Sequence, residues 1–333
     1  MFLQIILILI SINAVVYICK RLSIPSGLGM ISFGIIFGIP QISGYVDEGL
    51  ITLLPRMAKV GLFVLMFTAG LEISWIMLIK ERKDSLIMAF CGLIVPFVFG
   101  ASLMLILNYG LLVAVSVGLA MSITAEATKA KVLLELKQIK TRIGSLMIGA
   151  GIIDDILGIV LFTAFAFLFF NEINDGIYEF INLIIILFAF FAGVAVHSIF
   201  GREKRLIRYF ELITGLVLVP FFFVEMGMHF EFSSIINSWG LVLLVILVAM
   251  AGKILGVFLS KLFIKMTFKQ AYLVGWGMNS RGAVELALAY SAFKLGILNN
   301  ELYSAIILMT FVSTFIFPIV LTRMVKANKH IMN

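Results

Sequence analysis

Gly149-Ala150-Gly151-Ile152-Ile153-Asp154-Asp155-Ile156-Leu157-Gly158 places two adjacent carboxylates inside an apolar run from about residue 143 to 170. The run is long enough to cross a bilayer, which takes roughly 20 helical residues. A carboxylate near mid-membrane costs about 2.5–3.5 kcal/mol on insertion scales. Carrying that cost twice in succession points to an ion or proton site. The plainer alternative is an acid neutralised by a neighbouring helix for packing alone.

The rest of the chain is built in the same manner. Of its 333 residues, 62% are hydrophobic and 13% charged, and the mean hydropathy is +1.16. This is the profile of an all-α, polytopic membrane protein. Apolar spans fall at about 2–19, 25–39, 54–72, 85–107, 111–136, 143–170, 177–199, 206–228, 236–260, 268–296 and 301–323, about eleven in all. The opening MFLQIILILI lacks a basic leader and a small-residue cleavage site, so it reads as a retained first helix. A single membrane domain over 1–333 is expected.

The net charge of +7 would suggest a nucleic-acid partner in a soluble protein. Here loop charge that sets orientation explains it, and none is expected. Taking every second connection collects Lys20 and Arg21; Lys80, Arg82 and Lys83; Lys129, Lys131, Lys137, Lys140 and Arg142. The series continues with Arg202, Lys204, Arg205 and Arg208; Lys261, Lys265 and Lys269; and Arg323, Lys326 and Lys329. The other connections carry acids such as Asp47, Glu48, Glu172, Asp175, Glu231 and Glu301. By the positive-inside rule the C-terminus is cytoplasmic and the N-terminus outside, in a cell (inner) membrane. Lys253 and Arg281 fall inside apolar spans and are natural partners for buried acids.

Two spans are interrupted midway by small and polar residues, the fifth over Val117-Gly118-Leu119-Ala120-Met121-Ser122-Ile123-Thr124-Ala125-Glu126-Ala127-Thr128 and the tenth over Val274-Gly275-Trp276-Gly277-Met278-Asn279-Ser280-Arg281-Gly282-Ala283-Val284-Glu285. An offset of 157 sets Val117, Gly118 and Met121 on Val274, Gly275 and Met278, and Gly70 on Gly227. The shared offset suggests a duplication, with repeats at about 1–170 and 177–325. The two interrupted spans enter from opposite sides, so the copies are inverted. Inverted repeats with paired broken helices are a secondary-transporter pattern. Each break exposes free N–H and C=O groups that protein, water or an ion must satisfy. A plain kink from Gly and Ser is the alternative at each.

MSITAEATKAKVLLELKQIKTRIGSLMIGAGIIDDILGIV resembles the broken helix and Asp-Asp helix of the monovalent cation:proton antiporter superfamily, closest to its Nap and Kef-type branch. PSGLGMISFGIIFG, LFVLMFTAGLE, VPFFFVEMGM, AGKILG and GMNSRGAVELALA are similar to that branch's other motifs, in order. The resemblance implies two crossed broken helices and exchange of Na⁺ (or Li⁺ or K⁺) for H⁺, with the lipid bilayer as surroundings and no cofactor. It implies that Asp155 is the ion-binding acid and that Asp154 pairs with Lys253 in an electrogenic cycle. Desolvation of a carboxylate disfavours its charged form, so such a group can hold a proton and trade it for a cation. Thr124 matches the family's threonine and is a candidate cation ligand beside Asp155; bonding within its own helix is the alternative. Arg281 is expected to partner carboxylates and free carbonyls, with Glu285 one turn on and Glu126 across the cavity. Lys253 could instead snorkel to the membrane face. Glu72 matches the family's Gly-Leu-Glu, in a capping or solvated role.

The chain departs from the family in two places. Glu126 and Lys129 stand where neutral residues are usual; they either form an i,i+3 pair or make the cavity more negative. The connection Asn171 to Glu179 replaces two further helices. In relatives that region helps form the dimer and the scaffold, which puts a homodimer and an elevator-like motion in question here. Two other functions compete with antiport: cation-coupled symport of an organic anion, which an acidic cavity disfavours, and a non-transporting membrane sensor or subunit. No nucleophile triad, metal-ligand spacing or phosphate loop is present to suggest an enzyme.

Overall fold

The computed structural model describes residues 2–21, 25–43, 47–71, 82–168, 176–200 and 204–332. Among these residues there is helix and connecting turn but no strand. In hydrocarbon every backbone N–H and C=O needs a partner inside the protein, and a helix supplies it within one segment. The helices are α1 (Phe2–Arg21), α2 (Ser26–Phe37), α3 (Pro40–Ser43), α4 (Glu48–Leu71), α5 (Arg82–Ile106), α6 (Leu111–Ser122), α7 (Glu126–Glu135) and α8 (Arg142–Leu168). Then follow α9 (Gly176–Phe200), α10 (Lys204–Val217), α11 (Val219–Met228), α12 (Phe232–Asn237), α13 (Trp239–Ser260), α14 (Phe268–Gly277), α15 (Ala283–Lys294) and α16 (Asn300–Ala327). Among the described residues, six helical stretches are long and apolar enough to cross a membrane, the longest being Asn300–Ala327.

The helices sort into two compact units, residues 1–73 with 184–231 and residues 74–183 with 232–333. In the first unit, small residues let backbones touch. A Cβ on Gly227 of α11 would come 2.8 Å from the Cα of Gly34 on α2, and one on Gly193 of α9 3.1 Å from the Cα of Gly70 on α4. The expected continuous span over 206–228 is broken at Leu218, because Pro220 has no N–H for the carbonyl of Leu216. The Asn13 side-chain amide on α1 donates to that carbonyl at 3.1 Å.

In the second unit α5 packs between α6 and α13. A Cβ on Gly252 of α13 would lie 2.8 Å from the Cα of Pro96. The offset of 157 recurs in whole elements. Helices α5, α6 and α7 begin at Arg82, Leu111 and Glu126; α13, α14 and α15 begin at Trp239, Phe268 and Ala283. α8 and α16 follow at Arg142 and Asn300, one residue out of step. The offset carries α1 onto residues 159–178, of which 159–168 are the last turns of α8 and 176–178 the start of α9. A 3₁₀ turn, Lys329–Met332, buries Ile331 and Met332 against α8, α14 and α16, which the sequence had not signalled.

Glu72 and residues 171–175 of the short acidic connection lie outside the described residues.

Candidate ion site

Both expected interruptions are present. The first separates α6 from α7 over residues 123–125, and the second separates α14 from α15 over residues 278–282. They cross and bond to each other: the Ala125 N–H donates to the Ser280 carbonyl at 2.8 Å, and the Ser280 hydroxyl donates to the Ala125 carbonyl at 3.0 Å. The crossing is tight enough that a Cβ on Gly282 would lie 2.8 Å from the Cβ of Ala125.

The loose ends are satisfied by charge. Arg281 is fully buried, and its Nη1 donates to the carbonyls of Ala120 (2.9 Å) and Ile123 (3.3 Å) at the buried C-terminal end of α6. The same nitrogen lies 3.6 Å from Glu285 Oε1, which also accepts from the Thr310 hydroxyl at 3.0 Å. The Thr314 hydroxyl donates to the Arg281 carbonyl at 3.0 Å. A cation at a helix C-terminus and an acid in the first turn of the next helix both suit the helix dipoles. Arg281 thus lies against the free carbonyls and Glu285, while Glu126, named with Glu285 as a partner across the cavity, is paired with Lys129. Ser280, Thr310 and Thr314 were missed. The signal for the last two was a hydroxyl-bearing face, Thr310, Ser313 and Thr314, in an otherwise greasy span.

The helix of the opening stretch, α8, packs against all four half-helices, α6, α7, α14 and α15, and against α5. Gly151, Asp154 and Gly158 stand three and four residues apart and so share one face. That face meets the first break, where a Cβ on Gly158 would lie 2.5 Å from Ile123 Cδ1. Asp154 is fully buried; its Oδ2 accepts from Lys253 Nζ at 2.8 Å and from the Thr124 hydroxyl at 2.9 Å. Lys253 is fully buried on α13 and does not snorkel. Thr124 bonds neither its own helix nor Asp155 in this arrangement; its hydroxyl is spent on Asp154. Asp155 follows on α8 and is 8% exposed.

Lys129 corrects the tally of loop charges. It is fully buried on α7, its Nζ 2.9 Å from Glu126 Oε2 and 3.5 Å from Met278 Sδ. The N-terminus of α7 lies within the crossing, which carries this lysine inward. Of the two readings offered for Glu126 and Lys129, the i,i+3 pair is the one found. Among the described residues, the second unit therefore shields four acids, Glu126, Asp154, Asp155 and Glu285, and three bases, Lys129, Lys253 and Arg281. No group of three or more His, Cys, Asp or Glu among the described residues is arranged to hold a metal as a fixed ligand cluster.

Crossed, interrupted helices enclosing buried carboxylates in a polytopic helical protein define a secondary transporter by class. The family profile described as "Sodium/hydrogen exchanger, transmembrane" matches residues 5–216 and 176–327, and the chain belongs to that family. It is a multi-pass membrane protein of the cation/proton antiporter kind, not an enzyme. Residues 176–216 fall in both matches. The Na(+)/H(+)-K(+) antiporter GerN of Bacillus cereus is 29% identical over 368 positions, covering 95% of this chain and 94% of GerN. That alignment is longer than the 333-residue chain, so GerN carries residues that have no counterpart here. The Na(+)/H(+) antiporter of Enterococcus hirae is 26% identical, over 97% of this chain and 98% of that one. Cation/H(+) antiporter 19 of Arabidopsis thaliana is 27% identical over 94% of this chain, which spans 48% of the plant protein. The solved structure of the sodium proton antiporter MjNhaP1 from Methanocaldococcus jannaschii shares the fold, with a TM-score of 0.65, 17% identity and coverage of 95% of this chain and 94% of that one.

Proposed function

We propose that this chain exchanges Na⁺, or Li⁺ or K⁺, for H⁺ across the cytoplasmic membrane by alternating access, with Asp155 as the carboxylate that holds each in turn. The observation that carries this is the packing of α8 against both breaks at once. It brings a buried carboxylate to a place where helix ends, hydroxyls and carbonyls replace lipid. Four shielded acids against three bases give an excess of one negative charge when all are ionised. One monovalent cation or one proton balances that excess. The same excess disfavours an organic anion as cargo, and the intact Asp154–Lys253 pair argues for a working transporter over a sensor.

Thr124 and Asp154 border the site, and Thr124 becomes a cation ligand when its hydroxyl turns from Asp154. Entry of the cation competes with Lys253 for Asp154. If the pair opens, Lys253 releases its proton, more than one proton moves per cation, and exchange is electrogenic. Glu126, Glu285, Lys129 and Arg281 are the surrounding charge partners. The repeats are taken as about 1–170 and 177–325, with the N-terminus outside and the C-terminus cytoplasmic. The short connection Asn171 to Glu179, which stands where relatives run two further helices, is the ground for taking a monomer as the working unit.

The test is proton movement in proteoliposomes driven by gradients of Na⁺, Li⁺ and K⁺, with and without an imposed potential. The expected result is proton efflux from the lumen on adding at least one of these cations outside, with a rate that depends on the potential. No cation-driven proton movement with any of the three contradicts the proposal.

A further inference from the structure

Glu126 opens α7, and Lys129 stands one turn later on the same face. Their ion pair measures 2.9 Å, with Lys129 fully shielded and the Glu126 side chain 15% exposed. The pair rests directly on Gly151 of α8: a Cβ there would overlap both Glu126 Oε2 and Lys129 Nζ. Gly151 lies one turn before Asp154 and Asp155. The ammonium also touches Met278 Sδ at the end of α14. A thioether is a weak acceptor, so among the described residues Glu126 is the strong partner of this ammonium. Glu126 Oε1 is shielded from solvent and accepts no hydrogen bond. The pair thus joins the first break, the second break and the Asp-Asp helix, and none of the exchange steps above uses it.

A buried ion pair is seldom kept for stability, since apolar residues of the same volume do as well or better. A carboxylate at the start of a half-helix, with one oxygen open and facing the same crossing as Asp154, is chemically a cation site. Here a lysine already fills it. We propose that the Lys129 ammonium is a tethered stand-in for a cation, which neutralises Glu126 and so holds the site to one monovalent cation per chain. Glu126 is then a second monovalent-cation site, masked by the protein's own charge. The other buried charges on the surrounding elements are Asp154 and Asp155 on α8, Lys253 on α13, and Arg281 and Glu285 at the second break; Lys131 and Glu135 on α7 and Arg142 on α8 are not buried. Lys253 and Arg281 have their own carboxylates, Asp154 and Glu285, so removal of Lys129 leaves Glu126 in need of a counter-charge.

The inference deepens the proposed exchange site and rests on it for meaning, but its test reads an increment that does not depend on Asp155. Equilibrium binding of radioactive Na⁺ to the purified full chain is measured for wild type, Lys129→Met, Asp155→Asn, and Asp155→Asn/Lys129→Met. Loss of Lys129 is expected to add one Na⁺ per chain in both backgrounds, and to turn the Na⁺ dependence of exchange from hyperbolic to sigmoidal. Equal Na⁺ counts with and without Lys129 overturn the inference. Asp155→Asn binding as much Na⁺ as wild type overturns the exchange-site reading instead. Should Lys129→Met not yield folded protein, Glu126→Gln and Glu126→Gln/Lys129→Met decide. The first leaves a lone ammonium beside the site and should weaken Na⁺ affinity about tenfold. The second should return it, and an unchanged affinity in Glu126→Gln overturns the inference.

Discussion

Lys253 and Thr124 answer one oxygen of Asp154, at 2.8 and 2.9 Å, and all three side chains are buried. Removing one partner of a buried pair leaves the other charge uncompensated, so Lys253→Met should cost about 3–5 kcal/mol. Asp154→Asn/Lys253→Met, neutral against neutral, should recover most of that. Thermal unfolding in detergent checks both, and the double variant should exchange ions without response to an imposed potential. Thr124→Val deletes one donor and should cost about 1–3 kcal/mol by the same assay. The sequence made Asp154 and Lys253 legible because neither charge can lie in lipid. It could not say where the Thr124 hydroxyl turns, since a hydroxyl rotates to whichever acceptor the fold brings near. Lys129 was misplaced among loop charges because Lys131, Lys137 and Lys140 follow it so closely; its burial depends on where the break sets α7, which no local pattern records.

Two interrupted helices hold this site because each break supplies the other's missing partners. Arg281 closes the carbonyl end of α6 from the opposite break, and Ala125 and Ser280 trade hydrogen bonds across the crossing. Arg281→Met strands the Ala120 and Ile123 carbonyls and the Glu285 carboxylate together, and should destabilise by about 3–5 kcal/mol. Gly282→Ala adds a Cβ 2.8 Å from that of Ala125, where two backbones already touch. Overpacking of this sort costs about 1–3 kcal/mol, and the crossing must open to relieve it. The variant should therefore purify as a folded protein with lowered unfolding temperature and impaired exchange; wild-type values for both contradict the tight crossing. The breaks themselves were readable, because small and polar residues interrupt two spans at one shared offset. Their mutual bonding was not, because it joins residues 155 apart.

At the scale of the molecule, the duplication seen in a few motif residues extends to the starts of α5, α6 and α7 and of α13, α14 and α15. The long apolar runs were legible, since hydrocarbon enforces them whatever the tertiary packing, whereas the split of the expected span over 206–228 at Leu218 was not. The division into two discontinuous units was not, because it follows from which helices touch and not from their order. Membrane orientation is tested with single cysteines at Lys265 and Glu301 after Cys19 and Cys91 are replaced by Ser. In intact cells an impermeant thiol reagent should label position 301 and spare position 265; the reverse pattern contradicts the orientation. The exchange site itself is tested most directly by Asp155→Asn, which keeps the side chain's shape and removes its charge. In proteoliposomes the variant should lose cation-driven proton movement while retaining the wild-type unfolding temperature to within a few degrees. Undiminished proton movement in Asp155→Asn would place the exchanging carboxylate elsewhere and contradict the account.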